Sequence, residues 1–246
     1  MNDNGIEIEC PKCSGKVLLD YNKTEYSCQF CDWDFEKPFS QILEEHDRAI
    51  NAFKSPSWDE YFFTACCSAA SRSKCLSRRL GCVLVDPTTN IIISTGYNGP
   101  ARGIPQCGPE RMRKDHVIRH RLDCTEEPVV GTLADCPRHR LGFSSSVHLD
   151  LCPSVHAERN TIYNAANVGT RTRGTVLYTS DIIPCSKCLS ALIQAGIIGV
   201  VCSAIEHYDV LSRYVLENSE IKIRKYELSR SRMIEIFEAV TNRKGE

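Results

Sequence analysis

The chain reads as an α/β protein with a three-layer core and a small cysteine-rich appendage at its start. Three observations predict this. Short β-branched runs alternate with helix-patterned stretches from residue 81 onward, the signature of sheet strands interleaved with covering helices. Two Cys-x-x-Cys knuckles, Cys10-Pro11-Lys12-Cys13 and Cys28-Gln29-Phe30-Cys31, occupy the first 36 residues, 14 residues apart. The chain's 246 residues allow one sizeable core and little more.

The appendage, residues 1–36, resembles a zinc ribbon. Lys16–Leu19 and Thr24–Ser27 read as strands of a hairpin turning at Asp20–Lys23. So short a segment buries too little apolar surface to fold alone, and a closed Cys10, Cys13, Cys28, Cys31 site makes up the deficit. Residues 37–57 read as a linker with a helix carrying Ile42, Ala49, Ile50 and Phe53, ended by Ser55-Pro56. Residues 58–246 form the main domain. Ser57 is placed to cap a helix from Trp58 to about Ser71. Cys82–Asp86 and Ile91–Thr95 form a hairpin across Pro87–Asn90. Further strands are expected at Thr175–Thr179, Ile198–Val201 and Ile221–Lys225. Helices are expected at His156–Ala166, Cys185–Ala195 and Tyr208–Leu216, with a last one from about Ser229 placing Met233, Ile236, Phe237 and Val240 on one face.

Composition narrows the class. Hydrophobic content of 42% and charged content of 25% are ordinary for a globular protein, and the net charge of −1 argues against wholesale binding of a polyanion. No leader-like start and no membrane-length apolar run are visible, so no membrane partner is expected. Fifteen cysteines then point to metal ligands and buried thiols in a reducing, cytoplasmic setting.

The chemistry concentrates in His156-Ala157-Glu158, followed 26 residues after Glu158 by Pro184-Cys185-Ser186-Lys187-Cys188. One imidazole and two thiolates supply three zinc ligands and leave a fourth tetrahedral position, which separates a catalytic zinc from a structural one. Cys185 follows a strand and opens a helix, where unpaired N–H groups and the helix dipole favour thiolates. Cys188, three residues on, shares its face. Glu158 is placed to carry a proton beside the metal.

Residues 58–228 resemble the deoxycytidylate (dCMP) deaminase group of the zinc-dependent cytidine deaminase superfamily. The likeness is carried by Trp58-x-x-Tyr61-Phe62, Arg78 with Gly81–Val85, Thr95–Gly103, His156–Asn160 and Pro184-Cys185-x-x-Cys188. It implies a three-layer α/β/α domain with a mixed sheet and zinc held by His156, Cys185 and Cys188. It also implies hydrolytic deamination of dCMP to dUMP, a thymidylate precursor, with Glu158 as proton carrier. The substrate contacts implied are Tyr97, Asn98 and Ala157, with Arg78 and Arg102 as phosphate candidates and Tyr178 either lining the base pocket or serving the core. Oligomeric assembly and dCTP/dTTP effectors are further family traits.

The chain departs from compact members by the ribbon and by an insertion over residues 104–152. Cys107, Cys136 and Cys152 with His148 are candidates there for a third zinc, or are buried thiols. Residues 101–121 hold six Lys/Arg against two acids, a stretch suited to phosphate, an effector or solvent. Deamination of dCTP, deamination within a nucleic acid gripped by the ribbon, and a silent zinc-bound interaction module are the alternative readings.

Overall fold

The computed structural model describes residues 5–10, 12–20, 30–31, 44, 54–122, 136–143 and 147–241. The chain divides into two compact units, Met1–Ser55 and Pro56–Glu246.

In the first unit β1 (Gly5–Glu9) pairs antiparallel with β2 (Lys16–Asp20), Glu9 opposite Lys16 and Gly5 opposite Asp20. Ile6 and Ile8 alternate with Glu7 and Glu9, a period-2 pattern that the sequence reading passed over. The first knuckle is the turn between them: the Cys10 N–H donates to Gly15 O and the Ser14 N–H to Cys10 O, both at 2.8 Å. The expected second strand Thr24–Ser27, the Asp20–Lys23 turn beyond Asp20, Cys28, and the linker helix around Ile42–Phe53 lie outside the described residues apart from Glu44.

The second unit is a five-stranded mixed sheet in the order β4-β3-β7-β8-β9, layered between helices. β3 (Gly81–Asp86) lies antiparallel to β4 (Ile91–Tyr97) and to β7 (Val176–Ile183). β7, β8 (Gly199–His207) and β9 (Lys222–Lys225) run parallel. Strand alternation sorts the side chains. Cys82, Leu84, Leu177, Val200 and Cys202 pack on one face with Ala157, Leu189 and Leu192. Val83, Val85, Tyr178 and Val201 pack on the other with Phe62, Phe63 and Cys66.

Helix α1 (Trp58–Ser71) covers that second face. Ser57 caps it reciprocally: its Oγ accepts the Glu60 N–H and its own N–H donates to Glu60. Gly81 lets α1 lie close, because a Cβ there would strike Cys66 O and come within 2.5 Å of Ala70 N. The hairpin turn is set by Asp86, whose Oδ1 accepts from Thr88 N and Oγ1 at 2.8 and 2.6 Å.

The described residues of the 104–152 segment hold more regular structure than its lack of periodicity suggests. They hold α2 (Pro109–Lys114), α3 (His116–Leu122), α4 (Pro137–Arg140) and a 3₁₀ turn, Leu149–Leu151. Buried Arg111 ties this segment together, donating to Leu151 O at 2.5 Å, to Asp115 at 3.2 Å and to Cys107 Sγ at 3.1 Å. Ile118 and Leu151 form its small core with Leu141 and Phe143. No helix among the described residues is long and apolar enough to cross a membrane.

Candidate active site

The site is assembled where two helices begin on one side of the sheet. β5 (Gly99–Pro100) pairs with β6 (Ser154–Val155), which delivers the chain to α5 (Ala157–Asn167). His156 takes the N-cap position of α5, in extended backbone. Across from it Cys185 caps α6 (Ser186–Gln194), with Cys188 in that helix's first turn. Gly169 and Gly196, both at positive φ, follow the ends of these two helices, as their position in the sequence predicts.

His156 Nδ1 stands 3.6 Å from Cys185 Sγ and 3.5 Å from Cys188 Sγ. Zinc bonds of about 2.3 Å to sulfur and 2.0–2.1 Å to nitrogen at tetrahedral angles require N···S separations of about 3.5 Å. The three donors therefore fit a zinc ion. The donor types agree as well, one imidazole and two sulfurs being usual zinc ligands, while without a metal the cluster shares protons and Cys188 is raised by its bond to Cys185. Cys185 is pushed well below the usual thiol range, first by the hydrogen bond from Cys188 and then, against the cost of burial, by that from His156. His156 is raised by its bond to Cys185, against its burial.

Glu158 is 8% exposed and its carboxyl is raised by desolvation, which the nearby His156 partly offsets. His156, Cys185 and Glu158 line one cavity of about 440 Å³, within the usual size range of small-molecule sites. A buried carboxyl with raised proton affinity, beside a three-ligand metal centre and open to a cavity, is equipped to move protons.

Other side chains hold these parts. A Cβ at Gly96 would lie 2.5 Å from Thr161 N and 2.6 Å from Ala157 O, so only glycine lets α5 rest on β4 this closely. Asn160 and Asn164 of α5 donate to Tyr97 O and Thr95 O, each at 2.8 Å. Asp209 accepts from Ser186 N at 3.1 Å next to the ligand Cys185, and from Ser212 N at 2.7 Å in α7 (Val210–Glu217). One carboxylate thus ties two helix starts together. Sequence reasoning missed its reach to Ser186, although Asp before Val210 and three residues before Ser212 has the form of a cap.

The remaining expectations divide. Asn98 lines the cavity, and its amide is engaged: Oδ1 accepts from Ser73 Oγ and Leu80 N, and Nδ2 donates to Arg78 O, leaving one amide hydrogen uncommitted. Arg78 lines it also, paired with Asp181 at 2.5 Å. Ala157 is wholly buried in the core below. Tyr178 is not a base-pocket residue. The pleat turns it to the opposite face, where its ring meets Phe62 at 4.9 Å and its hydroxyl donates to Asp59 at 2.8 Å. Tyr97 and Arg102 line a separate depression beside α5, with Arg102 at 3.4 Å from Asn164, because the strand carries them past the cavity's edge.

Cys107, Cys136 and Cys152 line the main cavity, but among the described residues they form no compact ligand cluster with His148. His148 stacks at 4.0 Å on Phe143 and lies near Asp150, because a left-handed φ of 50° turns the chain there. In the first unit Cys10, Cys13 and Cys31 do converge, Cys10 Sγ at 3.7 Å from Cys31 Sγ, which matches thiolates on one zinc. Sequence reading also missed Tyr208, whose ring lies 5.9 Å from that of His156, and two cavity arginines, Arg138 and Arg159.

Fold and centre together define an α/β domain with a three-ligand His/Cys/Cys metal site. Residues 56–204 match the family described as the cytidine and deoxycytidylate deaminase zinc-binding region, and the chain belongs to it. The deoxycytidylate deaminase of Saccharomyces cerevisiae is 33% identical over 186 residues, 76% of this chain and 50% of that protein. That of Schizosaccharomyces pombe is 32% identical over 176 residues, 72% of this chain and 46% of that protein. The chain thus spans about half the length of these two relatives, and 89% of the human deoxycytidylate deaminase, at 25% identity. Among solved structures, the apo dCMP deaminase of cyanophage S-TIM5 covers 70% of this chain at 18% identity with a TM-score of 0.46.

Proposed function

We propose that this chain hydrolyses dCMP to dUMP and ammonia. The observation that carries the reading is the convergence of His156, Cys185 and Cys188 at zinc spacing on the wall of a cavity shared with buried Glu158. Relatives named deoxycytidylate deaminase support dCMP as the substrate. A bound zinc supplies Lewis acidity that makes water nucleophilic near neutral pH. Glu158 would accept a proton from the water as its oxygen bonds to C4, pass that proton to ring N3, and carry the hydroxyl proton of the adduct to the amino group, so that the C4–N bond breaks with loss of ammonia. Its desolvated setting holds the proton between these transfers. Asn98 orients the nucleotide through its remaining amide hydrogen.

Residues 1–36 are assigned as a zinc ribbon on Cys10, Cys13, Cys28 and Cys31, and residues 58–246 as the deaminase domain. The resemblance supports a homo-oligomer under dCTP and dTTP control, and the cysteine-rich composition supports a cytoplasmic setting. The test is ammonia release from dCMP, dCTP, deoxycytidine and a cytosine-containing oligonucleotide. Turnover of dCMP is expected, and turnover of the oligonucleotide alone refutes the reading. Glu158→Gln should lower kcat by about 10²–10⁴-fold with zinc content unchanged; an unchanged rate removes Glu158 from its role.

A further inference from the structure

Five basic side chains line the cavity that holds the metal cluster, and their partners are unequal. Arg78 is engaged by Asp181 at 2.5 Å. The other wall carboxylates are bound elsewhere: Asp209 by Ser186 and Ser212, Asp150 near His148, and Glu158 beside His156. The Arg138 side chain has no hydrogen-bond or ion-pair partner among the described residues, although the residue is only 5% exposed. Arg159, on the same cavity, has its Nε buried with no hydrogen-bond partner. A guanidinium that opens on the cavity without a counter-charge has its donors free for an anion.

Arg138 is nonetheless held firmly. Its carbonyl accepts the Phe143 N–H at 2.9 Å, closing the turn after α4. The next residue, His139, meets Ser77 Oγ at 3.0 Å, pinning α4 to the segment that leads into β3. An unpartnered guanidinium that lines a substrate-sized cavity, on a backbone held in place, is suited to an anion. A guanidinium fork matches two oxygens of a phosphate, as an ammonium does not.

We infer that Arg138, supplied by the insertion and seconded by Arg159, recognises the 5′-phosphate of the substrate and makes this chain select a nucleotide over a nucleoside. The inference rests on the deaminase reading and reassigns the phosphate from Arg102, which opens on a different depression, and from Arg78, which Asp181 already occupies.

The experiment compares kcat/KM for dCMP and for deoxycytidine in wild type, Arg138→Ala, Arg138→Lys and the exposed neighbour Arg140→Ala, with zinc counted in each. Binding of inorganic phosphate is measured calorimetrically alongside. Arg138→Ala should lower the dCMP-to-deoxycytidine ratio by about 30-fold or more, mainly through KM, as expected for removing one side of a charged hydrogen-bonded pair. Arg138→Lys should restore part of it, Arg140→Ala should leave it alone, and phosphate binding should weaken with Arg138→Ala.

A ratio within twofold of wild type in zinc-loaded Arg138→Ala overturns the inference. If the alanine variant does not fold, Arg138→Lys decides: a lysine ratio equal to wild type's overturns the fork. If wild type itself leaves dCMP untouched, the functional reading fails separately. The anion site then stands or falls on whether Arg138→Ala weakens phosphate binding.

Discussion

Replacing Gly96 by alanine tests how the fold holds its metal ligands. The new Cβ would lie 2.5 Å from Thr161 N and 2.6 Å from Ala157 O, and would strike Thr161 Oγ1 as well. Two of these three atoms are helix backbone, so no side-chain rotation relieves them. Ordinary contact begins near 3.4 Å, so α5 must lift from β4 by close to an ångström. Overpacking of this kind costs about 1–3 kcal/mol, and backbone clashes place Gly96 at the upper end. Alanine's reduced freedom in the unfolded chain returns at most about 1 kcal/mol. A net loss of about 2 kcal/mol lowers Tm by roughly 4–8 °C in a domain of this size. The same lift displaces His156 and Glu158, and a displacement of about 1 Å costs about 100-fold in rate. Thermal melting and steady-state ammonia release on zinc-loaded protein measure both. Gly99→Ala is the control for stability, because its nearest neighbours lie 3.9 Å away. A Gly96→Ala variant with wild-type Tm and kcat refutes the claim that the close approach of helix to strand sets the site.

Asp209→Ala should weaken zinc binding by about 10–100-fold in a chelator competition, because its loss frees the helix start that presents Cys185. Asp59→Asn tests a pH-dependent tie: Arg224, at 2.6 Å and the largest influence, holds the Asp59 carboxyl below its ordinary value. A depressed carboxylate contributes stability above its unfolded pKa of about 3.9 and loses it as pH falls through the lower folded value. The variant should therefore lose about 1 kcal/mol at pH 7, the half-exposed Arg224 limiting the figure, and the gap to wild type should close below about pH 4 in denaturant titrations. Ser57→Ala should lower stability by about 1 kcal/mol by opening the capping box. Metal analysis should return at least two zinc ions per chain, and Cys10→Ser should remove one of them while sparing deamination.

Legibility followed locality. The start of the helix at Trp58 was readable because Ser57 precedes it as a cap, and its end was placed at about Ser71, where the structure has it. The metal cluster was readable because a helix start constrains both what precedes Cys185 and what Cys188 faces. Strand ends were less so: β7 and β8 run on to Ile183 and His207, beyond the expected Thr179 and Val201, because ladder partners extend them. Side-chain direction at a strand's end was not readable. Tyr178 and Arg102 depend on which face the pleat presents and where the cavity's rim lies, and only the paired sheet decides that. Met233, Phe237 and Val240 show the converse: the helical spacing is right, but in α8 (Arg230–Thr241) only Ile236 is buried. Periodicity finds a stripe without showing how much of it is covered. The described part of the insertion was hidden because its ties are long-range, as with buried Arg111, whose contacts span 40 residues to Leu151.

The register of the sheet explains why the chemistry gathers where it does. β3 is antiparallel to both its neighbours, so its first residues stand beside the last residue of β4 and the middle of β7: Gly81 faces Tyr97, and Cys82 faces Thr179. One edge thereby collects the segment before β3 with Arg78, the segment after β4 with Asn98, and the end of β7 with Asp181. All three line the cavity. β7 then hands the chain to Cys185, and the β5–β6 pair brings His156 to the same edge. His156, Glu158, Cys185 and Cys188 sit at the starts of α5 and α6, whereas Arg138 arrives on a separate segment anchored through His139 and Ser77. Under the proposed phosphate site, Arg138 would bring recognition of the substrate's charge from the insertion, whereas Arg159 shares α5 with Glu158. Substitutions in residues 104–152 can change which substrate is taken while the His156, Cys185 and Cys188 geometry stays as it is.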